Sequence, residues 1–149
     1  MTVHSSMRHD SALKHVTGQA IYIDDMPEPP GTLHAALVLS PIASGRLRRI
    51  DLSKAAVAPG VVATFTAADI PGHNNIAGPG KDEPLFAHGR VEFIGQAVAM
   101  VVAGTLDQAR AAAELAQLDI EPGEAILDIE TALARKAYVQ APSTILRGD

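Results

Sequence analysis

Six histidines, two adjacent pairs of carboxylates, a serine in an apolar setting and a Gly-Pro-Gly-Lys run are the residues best suited to chemistry in this chain. His4, His9, His15, His34, His73 and His88 form no His-x-x-x-His pair, the spacing that turns two imidazoles toward one metal from a helix face. They read as solvated or structural histidines. Asp24-Asp25 and Asp82-Glu83 suggest acid/base pairing or calcium, but adjacent side chains on a strand point to opposite faces. The alternating acidic ligands of a calcium loop are also missing, so solvated or capping roles fit both pairs better. Ser40, in LSPIASG, lacks the Gly-x-Ser-x-Gly elbow that exposes a nucleophile. Lys54 and Lys81 lie beside small or polar residues and read as surface ammonium groups, and Met100 lies in an apolar run and reads as packing.

The stretch DIPGHNNIAGPGKDEPLF, residues 69–86, concentrates glycine and proline around Gly80-Lys81. A phosphate loop needs a glycine, four residues and then Gly-Lys-Ser/Thr, so that successive amides wrap the phosphates and the hydroxyl reaches the metal. Here Asn75 occupies the first glycine position and Asp82 the hydroxyl position. Carboxylates at Asp82 and Glu83 also oppose an anion at any helix start there, so phosphate binding is rejected. GHNN is expected to form an Asx turn, because asparagine bonds its own backbone.

No catalytic constellation stands out, and composition narrows the classes further. At 149 residues and 47% hydrophobic content the chain is the size of one domain and is expected to fold. A net charge of −5 with scattered Lys and Arg gives no basic stripe for nucleic acid or anionic lipid. With no cysteine, the chain offers no disulfide, thiolate metal ligand or cysteine-held cluster. Three Phe, two Tyr and no Trp leave no dense stacking surface. MTVHSSMRHDSALKHV has neither an apolar signal core nor twin arginines, and no run approaches the roughly 18 apolar residues of a membrane helix. The chain is therefore expected to be cytoplasmic.

The elements that would position these residues are short and heavily punctuated. A polar arm is expected over 1–15, a domain over 16–140 and a tail over 141–149. Strands are expected at 32–40, 45–53 and 61–66, the first two joined through PIAS by a hairpin or a bent connection. Between the second and third, SKAAVAPG reads as one to two helical turns capped by Ser53, with Gly60 left-handed. Thr66 and Asp69 are expected to cap the short turn AADI. Gly95 is expected to permit a bulge before a central strand over Ala97–Ala103. Thr105 and Gln108 match a capping box for a helix whose Leu106, Ala109, Ala113 and Ala116 share a face, with Arg110 and Glu114 pairing on another. LDIEP then reads as a strand, and ILDIETALARKAY as a short capped helix. The sum is an α/β sandwich of several strands and two to three helices, with strand order open.

Three blocks, HVTGQAIYIDDMPEPPGTLHAALVLSPIASGRLRRIDLSKAAVAPGVVATFTAADIPGHN, VEFIGQAVAMVVAGTLDQARAAAELAQLDIE and AILDIETAL, followed by a terminal LRGD, occur in a characteristic order. Together they resemble the α/β-hammerhead domain of the xanthine dehydrogenase and aldehyde oxidase molybdenum hydroxylases. Within that family, HDSALKHVTGQAIYIDD and LHAALVLSPIASGRL are most similar to the molybdenum-binding large subunit of bacterial xanthine dehydrogenases. The resemblance implies an α+β fold, a mixed sheet with two to three helices in a single compact domain.

It also implies a non-catalytic domain that lines the substrate channel of an enzyme oxidising hypoxanthine and xanthine to urate with oxygen from water. No catalytic, cofactor-binding or metal-binding residue carries over to this chain. The complete enzyme is implied to use molybdopterin-molybdenum, iron–sulfur clusters and FAD, with NAD as acceptor. The implied partners are the molybdopterin-binding domains of the same subunit, toward which the 141–149 tail would lead, and an iron–sulfur/FAD subunit. By the same resemblance Ile76, Ala77, Gly78, Pro79, Gly80 and Lys81 form the projecting part of a loop near the substrate funnel. Relatives carry bulkier residues there, so this loop would act mainly through its backbone. An isolated domain is expected to expose apolar surface and to self-associate weakly. An aldehyde- or carbon-monoxide-oxidising relative, or a freestanding interaction or small-ligand module, are the alternative readings.

Overall fold

The computed structural model describes residues 6–78, 83–139 and 144–148. Contacts divide the chain into one unit ending at Thr32 and another beginning at Leu33, a later boundary than the 15/16 division that polarity suggested. In the first unit, helix α1 (Ala12–Val16) ends where the Thr17 hydroxyl donates to Leu13 O at 2.7 Å. A 3-10 turn over Ile23–Asp25 follows, its start fixed by the Tyr22 amide donating to Asp25 Oδ2 at 2.9 Å. Tyr22 also reaches back, its hydroxyl lying 2.9 Å from His15 Nδ1. These links explain the later boundary: they join the arm to residues beyond it, which polarity along the chain does not reveal.

The second unit is built on two three-stranded sheets whose pairings are all antiparallel. Strands β1 (His34–Leu39), β2 (Gly45–Asp51), β3 (Val61–Thr66), β4 (Arg90–Val91), β5 (Ala97–Ala103) and β6 (Gln117–Pro122) arrange as β1-β5-β3 and β4-β2-β6. The apolar run of β5 is central, as its composition suggested: Met100 lies opposite Leu37 on one side and Phe65 on the other. The strands β1 and β2 belong to different sheets, so a bent connection and not a hairpin joins them. Ser40 makes the bend, with its hydroxyl donating to Ile42 O at 2.8 Å and its amide to Gln96 O at 2.8 Å.

Among the described residues three α-helices complete this unit, α2 (Ser53–Ala56), α3 (Leu106–Ala113) and α4 (Ile129–Ala134), with a 3-10 turn over Ala67–Asp69. Ala55 of α2 and Ala112 of α3 meet Val38, Ala99 and Val101 in one buried cluster. Alanine at these positions removes the side-chain bulk that would hold helix and sheet apart, and the burial gives about 25 cal/mol per Å² of apolar surface. A second cluster joins Leu47, Ala87, Val91 and Val98, and Ile50 and Leu118 pack against both clusters. The two sheets thereby share one core.

Local expectations met several differences. Ser53 is the first residue of α2 and not its cap; Asp51 accepts from the Ser53 amide at 3.0 Å, a longer-armed substitute two residues earlier. Gly95 has φ +83° but turns the chain from β4 to β5, strands of different sheets, where a bulge within one strand was expected. The irregularities in pairing fall instead between Val38 and Leu39, Leu47 and Arg49, and Val61 and Ala63. Thr105 caps α3 by accepting from the Gln108 amide at 3.2 Å, while the Gln108 side chain lies over Gly60 and does not complete a box. The buried face of α3 is Ala109 and Ala112, Leu106 stays 39% exposed, and Arg110 and Glu114 form no ion pair. Thr66 and Asp69 do form the reciprocal cap, with the Thr66 amide donating to Asp69 Oδ2 at 2.7 Å.

Candidate functional site

The loop after the Thr66–Asp69 cap is closed at its base by two neighbouring asparagines. Asn74 pairs with the Phe86 backbone in both directions: its Nδ2 donates to Phe86 O at 2.7 Å and its Oδ1 accepts from Phe86 N at 3.1 Å. Phe86 and Ala87 are buried, and Ala87 N donates to Ala97 O at 2.7 Å, which ties this anchor to the central strand. Asn75 Oδ1 accepts from Ala77 N at 2.9 Å, the expected Asx turn, and also from Glu83 N at 3.2 Å. A backbone bond from Ile76 N to Glu83 O at 2.9 Å closes the same neck.

Of the six residues expected to project near a substrate funnel, Ile76 and Gly78 are exposed and Ala77 is half-buried. Pro79, Gly80 and Lys81 lie outside the described residues, as does Asp82. The rejected phosphate reading also falls on that segment. The functional geometry that sequence reasoning missed is the Asn74 clamp, because its partner lies twelve residues away and no local motif links an asparagine to a distant backbone. Ile76 is thus an exposed apolar side chain on a pinned neck.

Two of the remaining polar candidates, Ser40 and Asp25, have structural partners. Ser40 is buried, and its hydroxyl serves the bend before β2. Asp25 caps the first unit's turn. Three carboxyls, those of Asp51, Asp69 and Asp128, are held below their ordinary range. For Asp51 the cause is chiefly hydrogen bonding from Ser53, with Arg49 adding to it; for Asp69 and Asp128 it is donation by the Thr66 and Thr131 amides. Each is a cap or turn acceptor, so these perturbations are local and do not converge on a reaction centre. Among the described residues no group of three or more His, Cys, Asp or Glu is placed to hold a metal ion.

A charge-free sheet face accompanies the loop. Strands β1, β3 and β5 contain no Asp, Glu, Lys or Arg. Leu37 and Phe65 flank Met100, and Ala35 and Ala63 flank Val102, so these residues share one face. Leu37 is 50% and Phe65 37% exposed there. Such a contiguous apolar surface suits burial against protein.

Comparison with known proteins adds a consistent set of likenesses. Residues 17–124 match the family model described as aldehyde oxidase and xanthine dehydrogenase, a/b hammerhead domain. A xanthine dehydrogenase of Oryza sativa subsp. japonica is 46% identical over 130 residues, covering 87% of this chain and 10% of that protein. Aldehyde oxidase 4 of Mus musculus is 38% identical over 144 residues, covering 95% of this chain and 10% of that protein. The crystal structure of quinoline 2-oxidoreductase from Pseudomonas putida 86 aligns with a TM-score of 0.75 at 34% identity, over 87% of this chain and 17% of that one. The chain spans about a tenth of the length of the curated relatives it matches.

Proposed function

This chain belongs to the aldehyde oxidase and xanthine dehydrogenase family, as its a/b hammerhead domain, and from that premise we propose that it is a non-catalytic, channel-lining domain of a molybdenum hydroxylase. The proposed enzyme oxidises hypoxanthine and xanthine to urate in the cytoplasm. What supports the purine reading is that three plant xanthine dehydrogenases are 42–46% identical to this chain, above the 38% of the mouse aldehyde oxidase, although the chicken and cat xanthine dehydrogenases, at 34% and 36%, fall below it. The subunit proposed is the large, molybdenum-binding one of a bacterial xanthine dehydrogenase.

The described residues of this chain do not fit the metal groups of such an enzyme. It has no cysteine, and its described His, Asp and Glu residues form no ligand cluster. Iron–sulfur sites are therefore proposed for other domains or subunits, molybdopterin-molybdenum, FAD and NAD sites are proposed there as well from the family resemblance, and no chemical step is derived for these residues. What the chain supplies is position. Asn74 and Asn75 hold the loop neck through backbone partners, and Ile76 offers an apolar contact beside it. The Leu37–Met100–Phe65 face is proposed to pack against the molybdopterin-binding domains of the same subunit.

Incubating the 149-residue protein with xanthine and NAD should yield no urate, and urate formation would overturn the non-catalytic reading. In a complete enzyme carrying this domain, Ile76→Glu should raise KM for the purine several-fold, roughly, while kcat stays within about twofold. An unchanged KM would remove the channel role.

A further inference from the structure

An open groove of about 610 Å³ runs past the ends of β2, β4 and β6 and is lined by Ser44, Arg46, Arg90, Glu121 and Glu124 together with glycines. Arg46 and Arg90 are antiparallel register partners, so two guanidinium-bearing side chains stand directly opposite each other on one face. Like charges so placed weaken a strand pair unless something negative lies between them. Glu121, the register partner of Arg46 on its other side, is the natural counter-charge. Its carboxylate is instead held by Arg48 at 2.6 Å, and that of Glu124 is engaged by Arg135.

The Arg46 side chain makes no hydrogen bond or ion pair with the described residues. Arg90 donates to Ser44 Oγ at 3.3 Å and stands 3.9 Å from Glu92 Oε1, a long contact for an ion pair. The two arginines of the groove thus lack a close carboxylate of their own, since the two glutamates of its lining are engaged by Arg48 and Arg135. The groove floor is closely fitted as well: a Cβ at Gly45 would lie 2.7 Å from Glu121 O, and one at Gly123 would lie 3.2 Å from Ser44 Oγ.

We propose that this groove binds a small anion through its phosphate or carboxylate group, with Arg46 and Arg90 as the paired donors and the Ser44 hydroxyl as a third. A guanidinium presents two parallel N–H groups to such an anion, and the ligand's charge relieves the Arg46–Arg90 opposition.

The test titrates the 149-residue protein with inorganic phosphate and, separately, with glutarate at constant ionic strength, following backbone amide shifts by NMR and the thermal midpoint. Saturable shifts centred on Gly45, Arg46, Gly89, Arg90 and Gly123, with a rising midpoint, are expected. Arg46→Gln should weaken binding about tenfold or more, and Arg46→Lys by less, since it keeps the charge but loses the fork. Without anion, Arg46→Gln should melt at or above the parent, because the like-charge opposition is gone. A response to phosphate alone identifies a phosphate site, and a response to glutarate alone a carboxylate site. No response to either, equal binding by Arg46→Gln, or a lower midpoint for that variant without anion would overturn the proposal.

Discussion

Gly60 ties a turn to a helix through a conformation that other residues rarely adopt. Its φ is +79°, its carbonyl accepts from Gly104 N at 2.9 Å, and a Cβ there would run into the Gln108 side chain. Gly60→Ala should cost about 1–3 kcal/mol in a denaturant titration, from left-handed strain with the steric clash added. In the double variant with Gln108→Ala the clash disappears and the strain remains, so recovery should be partial. The capping carboxylates act through pH at the same scale. Asp69 and Asp128 titrate below their ordinary 3.8 in the folded protein, so their contribution to stability is fully present above that value. It is lost as pH falls through the lower folded-state values. Thermal midpoints should therefore fall on acidification below about 3.8, and Asp69→Asn should shallow that acid limb.

At the scale of elements, α3 depends on small side chains and the 70–88 loop depends on a clamp. Ala109 and Ala112 are buried where α3 faces the sheet, with Ala112 in the cluster that includes Ala99 and Val101. Ala112→Leu inserts volume where none is free and should destabilise by about 1–3 kcal/mol, measured by thermal or denaturant unfolding. Asn74→Ala removes both bonds to Phe86, whose backbone is tied into the core. A loss of about 1–3 kcal/mol is expected, since both Phe86 groups lose their partner. Faster hydrogen exchange at the Phe86 amide, with β5 still protected, would locate the effect in the loop.

For the whole molecule, the charge-free face is expected to govern association in solution. The Leu37–Met100–Phe65 row lies on a three-stranded sheet with no charged residue in its strands, and an exposed apolar patch of this kind promotes association. Sedimentation of the 149-residue protein should show weak, concentration-dependent self-association, and Leu37→Glu should abolish it with little change in melting temperature. A parent that stays monomeric at high concentration would count against the role proposed for this face.

Features set by neighbours along the chain were legible in the amino-acid order. Thr66 with Asp69, Thr105 with Gln108 N, the Asx turn at Asn75 and the apolar run of β5 each depend on residues a few positions apart, and each formed as local chemistry required. The family was legible through the order of several motifs, and residues 17–124 match it. The separation of β1 and β2 into different sheets could not be read locally, because their partners begin at Ala97 and end at Pro122, far along the chain. The clamp from Asn74 to Phe86 and the opposition of Arg46 and Arg90 likewise arise only when distant segments meet. Periodicity and capping fix what an element is. Which elements meet depends on long-range packing, and that packing decides which side chains share a surface.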